Sequence, residues 1–154
     1  MTTAIDIIKK DLNKIDSIIA IYHEDLKSAD ETINLRGKRI DIANAEHSGW
    51  ANYYHEKEVE VKHILNYMEM KLDEVHGTLW QKYTEKMNIV LANKDKEEYI
   101  KHDPIFLNIY EQYLKIQELH EQFLRLNESF KKRGYNLNNL TKLVIAQNGE
   151  WVIP

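Results

Sequence analysis

The sequence predicts an all-α protein of long, antiparallel amphipathic helices with a short C-terminal oligomerisation helix. Only five Gly and two Pro interrupt the 154 residues, and the rest is rich in helix-forming Lys, Glu and Leu. Apolar residues make up 43% of the chain and recur at steps of three and four, the period of one helix face. Because the chain has no Cys, apolar packing rather than disulfides must stabilise the fold.

The N-terminal segment carries a heptad stripe. Its apolar positions are Ile5, Ile8, Leu12, Ile15, Ile19, Tyr22 and Leu26. This pattern is typical of a coiled-coil seam with another chain and equally of one arm of an intramolecular bundle. Gly37, inside the basic stretch 36–39, indicates a helix end or a break. We therefore expect residues 1–38 to be a helical extension of a domain at 39–154, the two forming one structural unit.

A second apolar stripe predicts one long helix that begins near Ile40 and Asp41. Its members are Trp50, Tyr54, Val61, Leu65, Met68, Leu72, Val75, Leu79, Tyr83, Met87, Val90 and Leu91. A helix approaching forty residues would be about 60 Å long, at roughly 1.5 Å per residue. Residues 92–96 interrupt the period, so the long helix should end before them.

A third helix should begin at Pro104, because Asp103 is a favourable N-cap and proline suits the first helical position. Its apolar stripe is Ile105, Ile109, Tyr113, Ile116, Leu119, Phe123, Leu126 and Phe130. The cations at 131–133 followed by Gly134 are typical of a helix C-terminus.

Beyond this point, two structures are compatible with the sequence. Asn136 could cap a short helix that reaches about Gln147 and presents Leu137, Leu140 and Val144. Alternatively, residues 143–145 could pair with 151–153 across the Asn148–Gly149 dipeptide, a favoured two-residue hairpin turn. We favour the helix, followed by a short tail.

The motifs of common enzyme classes are missing from the sequence. It has no glycine-rich phosphate loop, no serine nucleophile elbow and no cysteine nucleophile. Glu60 and His63 have the spacing of a helical di-iron ligand pair, but the nearest second pair, Asp73 and His76, belongs to the same predicted helix. Two pairs on one helix cannot face each other across a bundle core. We therefore expect a protein that is not an enzyme, with no metal and no cofactor.

The sequence contains three basic clusters, two of them beside aromatic rings, although the formal net charge is −4. The clusters are Arg36, Lys38 and Arg39; Lys82 and Lys86 beside Trp80 and Tyr83; and Lys131, Lys132 and Arg133 with Tyr135 and Lys142. Rings that stack on bases, beside cations that neutralise phosphates, suit single-stranded nucleic acid. The same residues also suit a solvated helix face, a helix cap and core-facing rings. A homo-oligomer would repeat each weak patch and raise the total affinity by avidity.

An ordered set of short motifs runs through the chain. In order they are Ile40-Asp41, Trp50, Tyr54, Glu56-Lys57, LWQKYTEK at 79–86, KDKEEYI at 94–100 and RGYNLNNLTK at 133–142. In order and spacing this set resembles the UvsY family of recombination mediators from T-even-type bacteriophages, over about residues 40–147. The resemblance implies an all-helical, ring-shaped homo-oligomer that binds single-stranded DNA. Such a protein helps to load a phage recombinase onto strands covered by single-strand-binding protein, and it catalyses nothing itself.

The resemblance also assigns roles to individual residues. The family's DNA-contacting cations lie just before and within the aromatic motif, where this chain has Gly77, Thr78 and Leu79 in place of basic residues. Candidate DNA-binding residues are therefore Trp80, Lys82, Tyr83, Lys86, Lys131, Lys132 and Arg133. The family's C-terminal helix is an oligomerisation element, which assigns that role to Leu137, Leu140 and Val144.

A different class of function remains open: a helical adaptor or scaffold that docks only protein partners through its heptad surfaces. The N-terminus lacks a basic start followed by an apolar run, and no long uncharged apolar window occurs. We therefore expect no membrane association and a cytoplasmic location, which the resemblance would place in an infected bacterial host.

Overall fold

A computed structural model describes residues 1–147 and 152–153 of the chain. It contains the helices α1 (Ala4–Lys10), α2 (Ile15–Ile33), α3 (Ile40–Glu85), α4 (Asn93–His102) and α5 (Pro104–Gln147), with a 3-10 turn at Leu12–Lys14. Within those two ranges there is no β-strand, only one isolated bridge between Arg39 and Val152. The predicted all-α class is confirmed.

The two longest helices, α3 and α5, form the frame of the molecule. They contain 46 and 44 residues, so each is about 65–70 Å long at 1.5 Å per residue. Four side-chain hydrogen bonds connect the two helices, and the later a residue stands in α5, the earlier its partner stands in α3. The pairs are Tyr113 with Glu69, His120 with Glu58, Arg133 with His47, and Thr141 with Asn44. The two helices therefore run in opposite directions along most of their length.

The N-terminal stripe folds back onto this frame. The chain breaks once, at Asp11, whose carboxylate accepts a hydrogen bond from the Asn13 N–H (3.0 Å) and so caps the 3-10 turn. The stripe nevertheless stays on one side of the chain. Its buried members join the main core, which consists of Ile8, Ile15, Ile18, Ile19, Tyr22, Ala29, Tyr54, Val61, Ile64, Met68, Ile109, Ile116, Leu119, Phe123 and Phe130. Of the two interpretations of the heptads, the structure has the intramolecular one.

The prediction that α3 continues through Met87, Val90 and Leu91 is wrong. Helix α3 ends at Glu85, and the side chain of Val90 is fully exposed. Helix α4 was not predicted from the sequence; it is a polar helix with Ile100 as its only buried apolar residue. Because α4 packs back on the end of α3, the chain has to turn in the segment between them.

The third helix begins as predicted, with the Asp103 carboxylate accepting a hydrogen bond from the Ile105 N–H (2.9 Å). Its predicted end at Gly134 is wrong, because α5 continues through this residue to Gln147. Gly134 does not adopt the left-handed conformation that would end a helix; among the described glycines only Gly37 has a positive φ, of 73°. The expected short C-terminal helix is therefore the last part of α5.

A second, smaller core lies at the C-terminal end of α5. It consists of Ile40, Ala43, Leu137 and Ile153, with Leu35, Leu140 and Val144 packed against them. The predicted helix to about Gln147 is confirmed, and residues 143–145 are helical rather than extended. The Asn148–Gly149 turn of the alternative hairpin lies outside the described residues. The backbone N–H of Ile153 donates to the Lys38 carbonyl, so the chain returns to the α2–α3 loop.

Candidate nucleic-acid interface

Trp80, in the aromatic motif at the end of α3, is half-buried against α4. The ring of His76 stacks on it with centroids 6.1 Å apart, and the Lys96 ammonium lies 5.1 Å from the indole centroid. Lys96 is itself buried, so this cation–π contact is desolvated and stronger than an exposed one. Trp80 therefore helps to fix α4 on α3.

Tyr83 and Lys82 converge on one buried carboxylate, that of Asp103. The Tyr83 hydroxyl donates to Asp103 Oδ2 at 2.8 Å, and Lys82 Nζ lies 3.5 Å from the same oxygen. Burial alone would raise the pKa of Asp103, but the hydrogen bonds from Tyr83 and Ile105 and the charge of Lys82 outweigh burial and lower it. The same hydrogen bond raises the pKa of Tyr83, with burial adding to the shift.

Three of the four predicted DNA-binding residues in this motif thus have partners within the chain. The ring of Tyr83 also stacks on Tyr99 of α4, with centroids 5.4 Å apart. The fourth residue, Lys86, is exposed at the C-cap of α3. The motif joins the end of α3 to α4 and to the start of α5.

The C-terminal cations occupy a different environment on α5. Lys131 and Lys132 are exposed, and Lys131 Nζ lies 2.9 Å from Glu128 Oε1 one turn earlier. Arg133, in contrast, is only 3% exposed. The predicted cluster therefore contains two surface lysines and one buried guanidinium.

The guanidinium of Arg133 is only partly satisfied. Its Nη1 lies 2.8 Å from His47 Nδ1, whereas Nε and Nη2 are buried without a hydrogen-bond partner in the described part of the chain. Burial lowers the pKa of Arg133, partly offset by the negative charge of Glu46. Burial and the charge of Arg133 also lower the pKa of His47, which favours the neutral imidazole that can accept from Nη1.

Arg133 lines a surface cavity of about 450 Å³ at the junction of α5 with the α2–α3 loop. The lining includes Arg36 and Lys132, together with Ser129 and Asn136 of α5. The cavity thus brings together two basic stretches that lie almost a hundred residues apart in the sequence. Its lining, within the described ranges, contains no acidic residue.

The other cations of the first basic stretch are engaged elsewhere. Arg39 forms a two-bond pair with Asp41, at 2.8 and 3.1 Å, and the Lys38 ammonium donates to the Thr32 carbonyl at 3.4 Å. Sequence reasoning missed Ser129 and Asn136, although their spacing of four before and three after Arg133 indicates the same helix face.

The residues assigned to oligomerisation face the chain's own second core. Leu137 is fully buried there, and Leu140 and Val144 are half-buried against it. The same segment exposes three other large apolar side chains, those of Tyr135, Leu143 and Ile145. These three residues were not assigned to oligomerisation from the sequence, but their exposed surface can contact a second molecule.

Two of the four side chains considered as metal ligands, Glu60 and His76, have other contacts. Glu60 accepts a hydrogen bond from the Tyr22 hydroxyl (2.8 Å), and His76 Nε2 lies 3.0 Å from Glu97 Oε2. In residues 1–147 and 152–153, no three His, Asp or Glu side chains converge in a way that could hold a metal ion. No helix in these ranges combines the length and apolar character needed to cross a membrane.

Comparison of the chain with protein-family models, with curated proteins and with solved structures finds no match in any of the three.

Proposed function

We propose that this protein is a non-catalytic recombination mediator. In this proposal it binds single-stranded DNA, assembles into a homo-oligomer and helps to load a recombinase onto strands covered by single-strand-binding protein. The observation that carries the DNA-binding step is the convergence of Arg36, Lys132 and Arg133 around one cavity. The ordered motifs between Ile40 and Lys142 support the recombinase-loading step.

Electrostatics favour the C-terminal half of α5 as the contact for the strand. The chain has a net charge of −4, so most of its surface repels a polyanion, and binding requires a local excess of cations. Lys131, Lys132 and Arg36 are exposed and close in sequence or space to Arg133. At the other end, the charge of Lys82 is balanced by Asp103. We therefore assign the main phosphate contacts to the first group.

Assembly would strengthen these contacts. Tyr135, Leu143 and Ile145 expose apolar surface on the segment of α5 that also carries the cations. A seam through these residues would place the basic surfaces of neighbouring subunits side by side. One strand could then contact several subunits, and avidity would compensate for a weak individual site.

The test is a titration of a fluorescent oligonucleotide at two or more salt concentrations. The variant Lys131→Glu/Lys132→Glu should weaken binding. It should also make the slope of log K, the logarithm of the association constant, against log salt concentration shallower by about 1.4, at roughly 0.7 for each phosphate that is no longer neutralised. The control is Lys62→Glu/Lys101→Glu, which makes the same change in net charge. Lys101 forms the same kind of exposed (i, i+3) pair, with Glu98, as Lys131 forms with Glu128.

The proposal expects the control to bind like the unmodified protein and both variants to keep their oligomeric mass. If the unmodified protein shows no strand binding at low salt, the proposal is wrong. A solution mass that stays monomeric at micromolar concentration, with and without the oligonucleotide, would contradict the assembly step.

A second candidate is the adaptor that docks only protein partners. It is favoured by exposed apolar residues outside the basic clusters: Leu107, Tyr110 and Leu114 share one face of α5. An adaptor would bind no oligonucleotide at any salt concentration. It would associate with a partner helix, and Leu107→Lys/Leu114→Lys would abolish that association.

A further inference from the structure

The side-on edge of the Arg133 guanidinium has two vacant donors. Nε and Nη2 form the edge on which two N–H bonds point in the same direction, and both are without a partner in the described residues. This edge matches two oxygens of one phosphate or carboxylate group. A buried donor without a partner destabilises the folded state, so a guanidinium with two such donors calls for an explanation.

The position of this guanidinium is fixed by its third nitrogen. Nη1 is held by His47 Nδ1, and the His47 ring lies directly against the backbone of Gly134. The Arg133 side chain therefore cannot leave the helix interface without breaking its hydrogen bond to His47. A preorganised fork of this kind loses little conformational entropy when it binds an anion.

The surroundings of the fork are suited to a multiply charged anion. Arg36 and Lys132 add two positive charges to the cavity, while Ser129 and Asn136 add neutral polar groups. Glu46 is the carboxylate whose charge acts on Arg133, but it forms no hydrogen bond with the vacant Nε and Nη2 donors. The cavity has a volume of about 450 Å³ and is widely open to solvent.

We infer that the cavity between α5 and the α2–α3 loop is a phosphate-binding site. The Nε–Nη2 edge of Arg133 is covered in this structure, so exposed side chains of the lining, such as Asn136, move aside when the anion enters. The edge then holds two oxygens, and Arg36 and Lys132 neutralise the charge. Three cations favour a phosphate over a carboxylate, which needs only one. The phosphate can come from the free anion or from the backbone of a nucleic acid. The second source rests on the proposed function; the site itself does not.

The first experiment uses inorganic phosphate with the full-length protein. Affinity is measured by isothermal titration calorimetry, with chloride replacing phosphate at constant ionic strength. The unmodified protein should bind, and Arg133→Lys, which keeps the charge but removes the fork, should bind at least about tenfold more weakly, because each hydrogen bond to a charged group contributes substantially. Circular dichroism establishes that the variant is folded.

A second variant tests the site without changing a buried residue. Arg36 is exposed, so Arg36→Gln should fold normally and bind phosphate several-fold more weakly. The matched control is Arg125→Gln, because Arg125 is an exposed arginine of α5 outside this cavity. The control should bind phosphate like the unmodified protein. If the unmodified protein does not bind phosphate, or if Arg36→Gln binds as tightly as Arg125→Gln, the inference is overturned.

The second experiment titrates a labelled single strand into the same proteins. Weakening of both phosphate and strand binding in Arg36→Gln would support the nucleic-acid backbone as the source. Phosphate binding without any strand binding would support the site with the free anion as its ligand, while the proposed function fails. Strand binding without phosphate binding, unaffected by Arg36→Gln, would overturn the site. The proposed function would then rest on Lys131 and Lys132, which the charge-reversal variant tests.

Discussion

The substitution Gly134→Ala tests the close approach of α3 and α5 beside Arg133. In the middle of a helix, alanine is normally the better residue, because glycine loses more backbone entropy on folding. At this position, however, an added Cβ would lie 2.7 Å from His47 Nε2, well inside van der Waals contact. The imidazole would have to move, and His47 is the hydrogen-bond partner of Arg133 Nη1.

Two effects of opposite sign determine the result. Removing the glycine should stabilise α5 by about 1 kcal/mol. Displacing His47 should cost roughly 1.5–3 kcal/mol, the contribution of a hydrogen bond that involves a charged group. We expect a net destabilisation of about 1 kcal/mol, which corresponds to a fall in Tm of about 2–4 °C for a chain of this length.

The assay is thermal unfolding followed by circular dichroism, with two glycines of α3 as controls. A Cβ added at Gly49 or Gly77 meets no atom within 4 Å, so alanine at either position should raise Tm by about 2–4 °C. In a His47→Ala background, Gly134→Ala should also become stabilising, since the obstructing ring is gone. A rise in Tm for Gly134→Ala in the otherwise unmodified protein, equal to that of Gly49→Ala, would refute the reasoning.

Three further predictions test other parts of the fold. The pKa of Asp103 is lowered in the folded state, so the ionised carboxylate stabilises the fold fully at any pH above its ordinary pKa of 3.8. This stabilisation is lost as the pH falls through the lower pKa of the folded state. Urea denaturation should therefore show Asp103→Asn less stable than the unmodified protein at neutral pH, with the difference disappearing in acid. His120→Ala removes the hydrogen-bond partner of the buried Glu58 and should lower the free energy of unfolding by about 1.5–3 kcal/mol; an unchanged urea midpoint would mean that water satisfies Glu58. Leu137→Ala should cost about 2–5 kcal/mol, whereas Leu143→Ala at the exposed surface should cost under about 0.5 kcal/mol; equal effects would contradict the packing of Leu137 in the second core.

The elements with a local physical signal were predictable from the sequence. Asp103 and Pro104 form a cap that depends only on neighbouring residues, and the structure starts α5 there. The start of α3 at Ile40 was predictable for the same reason, since an apolar stripe begins where the basic stretch with Gly37 ends. Helix α4 has no such signal, because its few buried residues, Ile100 and Lys96, do not form an apolar stripe at a helical period.

Gly134 shows why the end of a helix was harder to predict. Cations followed by glycine are a frequent C-terminal pattern, but the pattern does not reveal what lies opposite the glycine. Here, the glycine makes room for His47, which belongs to a different helix and is distant along the chain. Only a non-local contact distinguishes a glycine that ends a helix from one that allows two helices to approach.

The same distinction applies to rings and cations that are adjacent in the sequence, because their adjacency does not reveal whether the cations already have partners within the chain. At the end of α3, Trp80 contacts the buried Lys96 of α4, and Lys82 lies beside the carboxylate of Asp103. These side chains of the aromatic motif therefore already have partners in the packing between helices. About 45 Å further along α5, at 1.5 Å per residue, Arg133 has two N–H groups without a partner in the described chain. A cation that is paired with a buried carboxylate, as Lys82 is with Asp103, gains little from a phosphate, because the carboxylate would be left buried without its partner. For this reason, the proposed anion site lies at the vacant donors of Arg133 rather than at the aromatic motif.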